Sequence, residues 1–175
     1  MAWLSEVLRR GPRRAIVAAV PVRISKVGRL EFLLVRTSKG GRWTFPKGGV
    51  DLGETPAPAA AREALEEGGV SGTIMFQPLA VYGYDTARKD RVDVTAFLLE
   101  VDRDGLPAEL GRAPTWFGFE AARSRLVEGH EAGYGEEMER VLRSAERAAH
   151  CARRSCRDVA GGYQHLAQPL GSDID

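Results

Sequence analysis

Apolar and polar positions along the chain set out a series of short elements. AIVAAVPVRI (15–24) and LEFLLVR (30–36) are apolar and rich in β-branched residues, and the turn-like KVGR lies between them. Both predict strands. WTFP (43–46) reads as a short extended piece ending on proline. SKGG (38–41) and GGVDLGE (48–54) are punctuated by glycine and predict shaped loops. TIMFQPLAVYGYD (73–85) and RVDVTAFLLEV (91–101) predict two long strands, with Thr86, Arg88 and Lys89 in the loop between them. VDVTAF alternates with period two, the mark of a half-buried strand. TWFGF (115–119) predicts one more.

Three segments have helical character. The clearest starts after Thr55, a predicted N-cap, with Pro56 in the first helical position and Pro58 still in the first turn. Its interior carries Ala57, Ala59, Ala60, Ala61, Ala64 and Leu65, and Gly68 and Gly69 predict its end. The small alanines predict a face packed closely on a sheet. FEAARSRL (119–126) and GEEMERVLRSAERAAHCARR (135–154) predict two more helices. In the last, Met138, Val141, Leu142, Ala145 and Ala149 form one apolar stripe.

The first strands follow one another too closely for helical crossovers. The order therefore predicts an α/β (α+β) fold, a mixed sheet flanked by helices, and not a doubly wound one. The expected organisation is an arm or short helix at 1–12, a domain over 13–150, and a mobile or loosely docked extension at 151–175.

Composition changes this picture little. A chain of 175 residues, 43% hydrophobic and 28% charged, suits one globular domain with a real core. The net charge of +1 gives no global attraction to nucleic acid or to a membrane surface, so neither is expected as a partner. No apolar run approaches the roughly 20 residues of a membrane span, and the start, MAWLSEVLRR, lacks the features of a secretory signal. Cys151 and Cys156 form no CxxC motif. They are expected to be reduced thiols in a cytoplasmic protein.

The candidate chemistry lies in REALEEGG (62–69). Glu63, Glu66 and Glu67 stand at i, i+3 and i+4, on one helix face. Like charges so placed repel by a few tenths of a kcal/mol per pair. A cation site would explain that cost. A diphosphate linkage carries adjacent negative charges that repel a nucleophile; divalent cations neutralise them, hold both phosphates and acidify water. Mg²⁺ takes hard oxygen ligands such as these.

Counted from Gly48, the segment reads Gly-x5-Glu-x7-Arg-Glu-Ala-x-Glu-Glu-x-Gly-Val. With each residue type at about 5–7% usage, seven fixed positions match by chance about once in 10⁸ windows. The pattern resembles the signature of the Nudix hydrolases at every specified position. The resemblance implies an α/β/α sandwich and a metal-dependent pyrophosphohydrolase using Mg²⁺ or Mn²⁺. It implies metal ligands in Glu63, Glu66, Glu67 and the backbone carbonyl at Lys47–Gly48. Arg62 would orient the carboxylates and the loop near Glu54, and Glu54 would join an outer metal site through water. Glu66 is the expected general base by resemblance to the diphosphoinositol polyphosphate branch; Glu128 or Glu131 are the alternatives.

Residues around the signature bear on substrate. GRWTFPKGG (41–49) is similar to the segment before the signature in dinucleoside polyphosphate and diphosphoinositol polyphosphate hydrolases. PRRAIVAA (12–19) has the placement of a basic motif in the second of these. Arg14, Arg36, Lys39, Arg42 and Lys47, with the backbone of Gly48 and Gly49, make an expected phosphate rim. Lys47 stands where the diphosphoinositol enzymes tend to have glycine, which is closer to the dinucleotide enzymes. The expected substrate is a small phosphate anhydride with a long, highly charged chain. ADP-ribose, a nucleoside triphosphate, or a non-catalytic nucleotide sensor are the rival readings. Trp43 and Tyr84 are candidate base-stacking aromatics, although Trp43 reads first as core, as does Trp116. His130 reads first as a solvated loop residue and otherwise as a phosphate contact. A monomer or homodimer is expected.

Overall fold

In the computed structural model of the chain, residues 15–38, 41–85, 91–130 and 133–162 are described. The N-terminal arm, Arg14, Lys39, Thr86, Arg88, Lys89, Glu131 and the chain beyond 162 lie outside these residues.

Two strands organise the sheet. β1 (Ile16–Ile24) and β7 (Arg91–Asp104) run parallel, from Ile16 opposite Val94 to Val22 opposite Glu100. Every other pairing is antiparallel. Each of these two strands takes different partners along its length. β1 pairs with β4 (Lys47–Gly49) at Ile16–Ala18 and with β2 (Leu30–Arg36) at Val22–Ile24. β7 pairs with β6 (Ala80–Asp85) over Arg91–Ala96 and with β5 (Val70–Ile74) over Leu99–Asp104. β3 (Trp43–Thr44) and β8 (Thr115–Gly118) both pair with β2.

Alternation along the strands sorts side chains to two cores. Val17 and Ala19 of β1, Leu33 of β2, and Phe97 and Leu99 of β7 face helix α1 (Pro56–Gly68). They meet Ala57, Ala59, Ala60 and Ala64, whose small side chains let the helix sit close to the sheet. Ala18, Val20, Val22, Phe32, Leu34, Ala96 and Leu98 face the other way. There they meet Ala122 and Leu126 of α2 (Phe119–Val127) and the predicted stripe Met138, Val141, Leu142, Ala145 and Ala149 of α3 (Tyr134–Gly162). The result is the expected mixed sheet between helical layers.

Four local expectations are corrected. The predicted strand 73–85 is two strands, because Met75 donates to the Leu98 carbonyl and Leu79 to the Ala96 carbonyl, and residues 76–78 loop out between those bonds. Pro78 there has no N–H to give. Gly48 and Gly49 belong to strand β4 and not to a loop. The last helix continues to Gly162, past the expected 154. Thr55 occupies the N-cap in an extended conformation, but its side chain makes no capping bond.

Gly69 ends α1 in the left-handed region at φ +68°, and its amide bonds the Leu65 carbonyl. A Cβ there would lie 2.6 Å from the Gly105 carbonyl oxygen and from the Pro107 nitrogen, both main-chain atoms. Gly69→Ala is expected to lower stability by about 2–4 kcal/mol, through strain and overpacking. Urea denaturation measures it; a loss below ~1 kcal/mol would refute the crowding at this turn.

Candidate active site

The signature residues gather where α1 faces the β3–β4 segment. Glu63 and Glu67 are buried, 7% and 4% exposed, while Glu66 is partly open. Burying two carboxylates side by side is costly unless they are paired. Their partners come from several elements.

Arg62 holds the first group. Its Nη1 donates to Glu63 Oε1 at 2.7 Å and to Glu66 Oε2 at 3.1 Å. Its Nε and Nη2 reach the two oxygens of Glu54, each at 3.1 Å, and Nη2 also donates to the Gly49 carbonyl at 2.9 Å. One guanidinium thereby ties the signature loop, strand β4 and the helix together. These bonds to anions raise its pKa, with Glu54 the largest cause. Such a fork is the work Arg does and Lys cannot.

Gly48 is required by Glu63. On β4, Gly48 opposes Val17, whose side chain faces α1. A Cβ on Gly48 would overlap the Glu63 carboxylate. The bare α-carbon is therefore what lets carboxylate and strand backbone touch.

Glu67 is held differently. The Lys47 amide donates to its Oε2 at 3.1 Å, and Arg112 Nη2 meets Oε1 at 2.6 Å. Burial pushes the Glu67 carboxyl up to about 7, against the pull of the Lys47 amide and the Arg112 and Lys47 charges. Arg112 was not anticipated. It sits in ELGRAP, which has no periodicity or motif, 45 residues from Glu67 in sequence. Only the path of the β7–β8 loop brings it here.

The basic rim divides. Lys47, opposite Ala18, sends its side chain to the other face of the sheet, where Nζ donates to Thr44 Oγ1 at 3.0 Å and lies 5.6 Å from the Tyr84 ring centroid. Burial lowers its pKa. Arg36 lies over the Trp43 ring at 4.1 Å and donates to the Gly41 carbonyl at 3.0 Å. Trp43 is core, edge-on to Phe117, as its first reading held. Trp116 packs under Arg23. Arg42 is exposed, with Gly129 beside its aliphatic stem. Glu128 in the same loop pairs with Arg125 at 2.7 Å. His130 is not freely solvated: it stacks on Tyr134 at 3.9 Å between centroids.

As the side chains stand, no group of three His, Cys, Asp or Glu converges as a metal cage among the described residues. The donors nevertheless fit a hard divalent cation. They are carboxylate oxygens, two of them buried, set against the Lys47–Gly48 main chain where Gly48 leaves room.

A NUDIX domain model matches residues 12–140, and the chain belongs to that family. Human diphosphoinositol polyphosphate phosphohydrolase 3-beta is 34% identical over 116 residues, covering 63% of this chain and 68% of that protein. Nudix hydrolase 17, mitochondrial, of Arabidopsis thaliana is 42% identical over 71 residues, 37% of this chain; the match spans only 39% of that relative. Among solved structures, an Ap4A hydrolase of C. elegans superposes with a TM-score of 0.62 at 26% identity, covering 78% of this chain and 98% of that one. No helix among the described residues is long and apolar enough to cross a membrane.

Burial, with the charges of Arg42 and Lys47, lowers the His130 pKa to about 4 from the usual 6.5. The neutral ring is favoured in the fold, so stability falls as pH drops from 6.5 towards 4, where the unfolded chain binds a proton and the folded chain does not. An NMR titration is expected to place the His130 midpoint near 4; a midpoint above 6 would mean that the ring is solvated.

Proposed function

We propose that the protein is a metal-dependent pyrophosphohydrolase that cleaves a phosphoanhydride bond in a highly charged, phosphate-rich small molecule, a dinucleoside polyphosphate or diphosphoinositol polyphosphate. The observation that carries this reading is the pair of buried carboxylates, Glu63 and Glu67, set against the Lys47–Gly48 main chain. Glu63, Glu66, Glu67 and the Gly48 carbonyl would hold Mg²⁺ or Mn²⁺. The cation supplies charge neutralisation at the phosphates and a more acidic water.

The chain's own residues do the rest. Arg62 keeps Glu63 and Glu66 on one side of the helix and fixes them to the strand through Gly49. Glu66, the most open of the three, is the proposed general base, taking a proton from the attacking water. Attack is in line at phosphorus, with no covalent enzyme intermediate. Arg42 is an exposed cation that would meet the phosphate chain; Lys47 would do so only by leaving Thr44 and Tyr84 on the opposite face. Arg36 would take part only by leaving its stack on Trp43. The likeness to a human diphosphoinositol polyphosphate phosphohydrolase and a nematode Ap4A hydrolase supports this substrate class. Cys151, free and exposed, fits a reducing compartment such as the cytoplasm.

A panel of diadenosine polyphosphates, diphosphoinositol polyphosphates, ADP-ribose and an oxidised nucleoside triphosphate, ranked by kcat/KM with Mg²⁺ and with Mn²⁺, tests the reading. The polyphosphate-chain substrates are expected to lead. Binding without turnover of any member would favour a sensor. Glu63→Gln and Glu67→Gln are expected to lower kcat by roughly 100-fold or more with a cooperative melt retained. Near-wild-type turnover in either folded variant would defeat the metal assignment.

A further inference from the structure

The Arg112 guanidinium touches Glu67 from outside the signature, and its surroundings assign it a role. It is 13% exposed and meets one oxygen of a carboxylate that is itself almost wholly buried. Its place is fixed by main-chain bonds around the loop that carries it. The Gly105 amide donates to the Gly69 carbonyl at 2.7 Å, and the Glu109 amide to the Glu66 carbonyl in the last turn of α1 at 2.9 Å. The Arg36 amide donates to the Arg112 carbonyl at 2.6 Å, and Arg112 Nη1 returns a bond to the Arg36 carbonyl at 3.3 Å. The next residue, Ala113, is at φ 47°, the single positive φ outside glycine among the described residues. Such a backbone persists only where the surroundings over-determine it.

The two oxygens of Glu67 are held by unequal partners. The Lys47 amide belongs to a paired strand and cannot move away alone. Arg112 has a second anion: its Nε donates to Glu109 at 2.7 Å, and Nη2 also meets Glu109 at 2.5 Å. It can release Glu67 and still be paired. We propose that Arg112 is a positioning residue that neutralises and aims Glu67 while the site holds no metal, and that a divalent cation displaces it from that carboxylate. Guanidinium and cation then oppose each other, so that each weakens the other's hold on Glu67. This rests on the metal-dependent reading above.

Thermodynamic linkage gives the test. Arg112→Met keeps the length and the packing of the stem and removes the charge; Arg112→Lys keeps the charge and loses the fork. Melting temperature is read in EDTA and in saturating Mn²⁺, and Mn²⁺ affinity by calorimetry. In EDTA, Arg112→Met is expected to lower Tm by roughly 10 °C, because an unpaired carboxylate is left buried. Mn²⁺ is expected to recover about 3–6 °C of that deficit, because the variant is expected to bind Mn²⁺ about tenfold more tightly than wild type, as reciprocity requires. Arg112→Lys falls between, and carries the test if the Met variant does not fold without metal. A purely structural loop anchor would give equal Tm offsets with and without Mn²⁺, or unchanged or weaker Mn²⁺ affinity in the variants. Either result would overturn this proposal alone. Failure of the wild type to bind Mn²⁺ or Mg²⁺ would overturn the metal-dependent reading, and this one with it.

Discussion

Two carboxylates buried against a strand backbone set the terms for the rest of the structure. Glu63 and Glu67 lie on the sheet-facing side of α1, in the same layer as Ala57, Ala60 and Ala64. Ionised side chains there need counter-charge and room, or the helix could not sit where it does. The alanines supply close approach and Gly48 supplies room for Glu63. Arg62 and Arg112 supply the charge, one from within the helix and one from a distant loop.

The sheet topology follows from the same requirement. Its central strand, β1, pairs with β4 only over Ile16–Ala18 and then hands its edge to β2. That change of partner leaves the Lys47–Gly49 strand short and lets α1 rest against it. Because side chains alternate along β4, Lys47 goes to one face and Gly48 meets Glu63 on the other. A single short strand therefore separates the carboxylate face from a second surface made by Lys47, Thr44 and Tyr84.

Much of this was legible in the chain. Apolar, β-branched runs marked β1 and β2, period-two alternation marked β7, and the α3 stripe from Met138 to Ala149 was read residue by residue. The fixed intervals from Gly48 through Arg62 to Glu67 exposed the site because local helix geometry converts sequence spacing into a shared face. The errors have a common cause. The break between β5 and β6 depends on which carbonyls of β7 are available to Met75 and Leu79. The strand at Lys47–Gly49 exists because β1 offers an edge; glycines with no partner would read as a loop.

The sequence by itself determined the mixed α/β class and the acidic face of α1, which depend on short-range spacing, while the orienting role of Arg62 was implied by the resemblance of the signature. Tertiary structure alone decided that Arg112 pairs with Glu67 and Glu109, that Arg36 packs on Trp43, and that His130 stacks on Tyr134. Those contacts join segments by the path of loops. A guanidinium has no periodicity of its own, and its partner is set by where the backbone bonds of residues 105–114 deliver it.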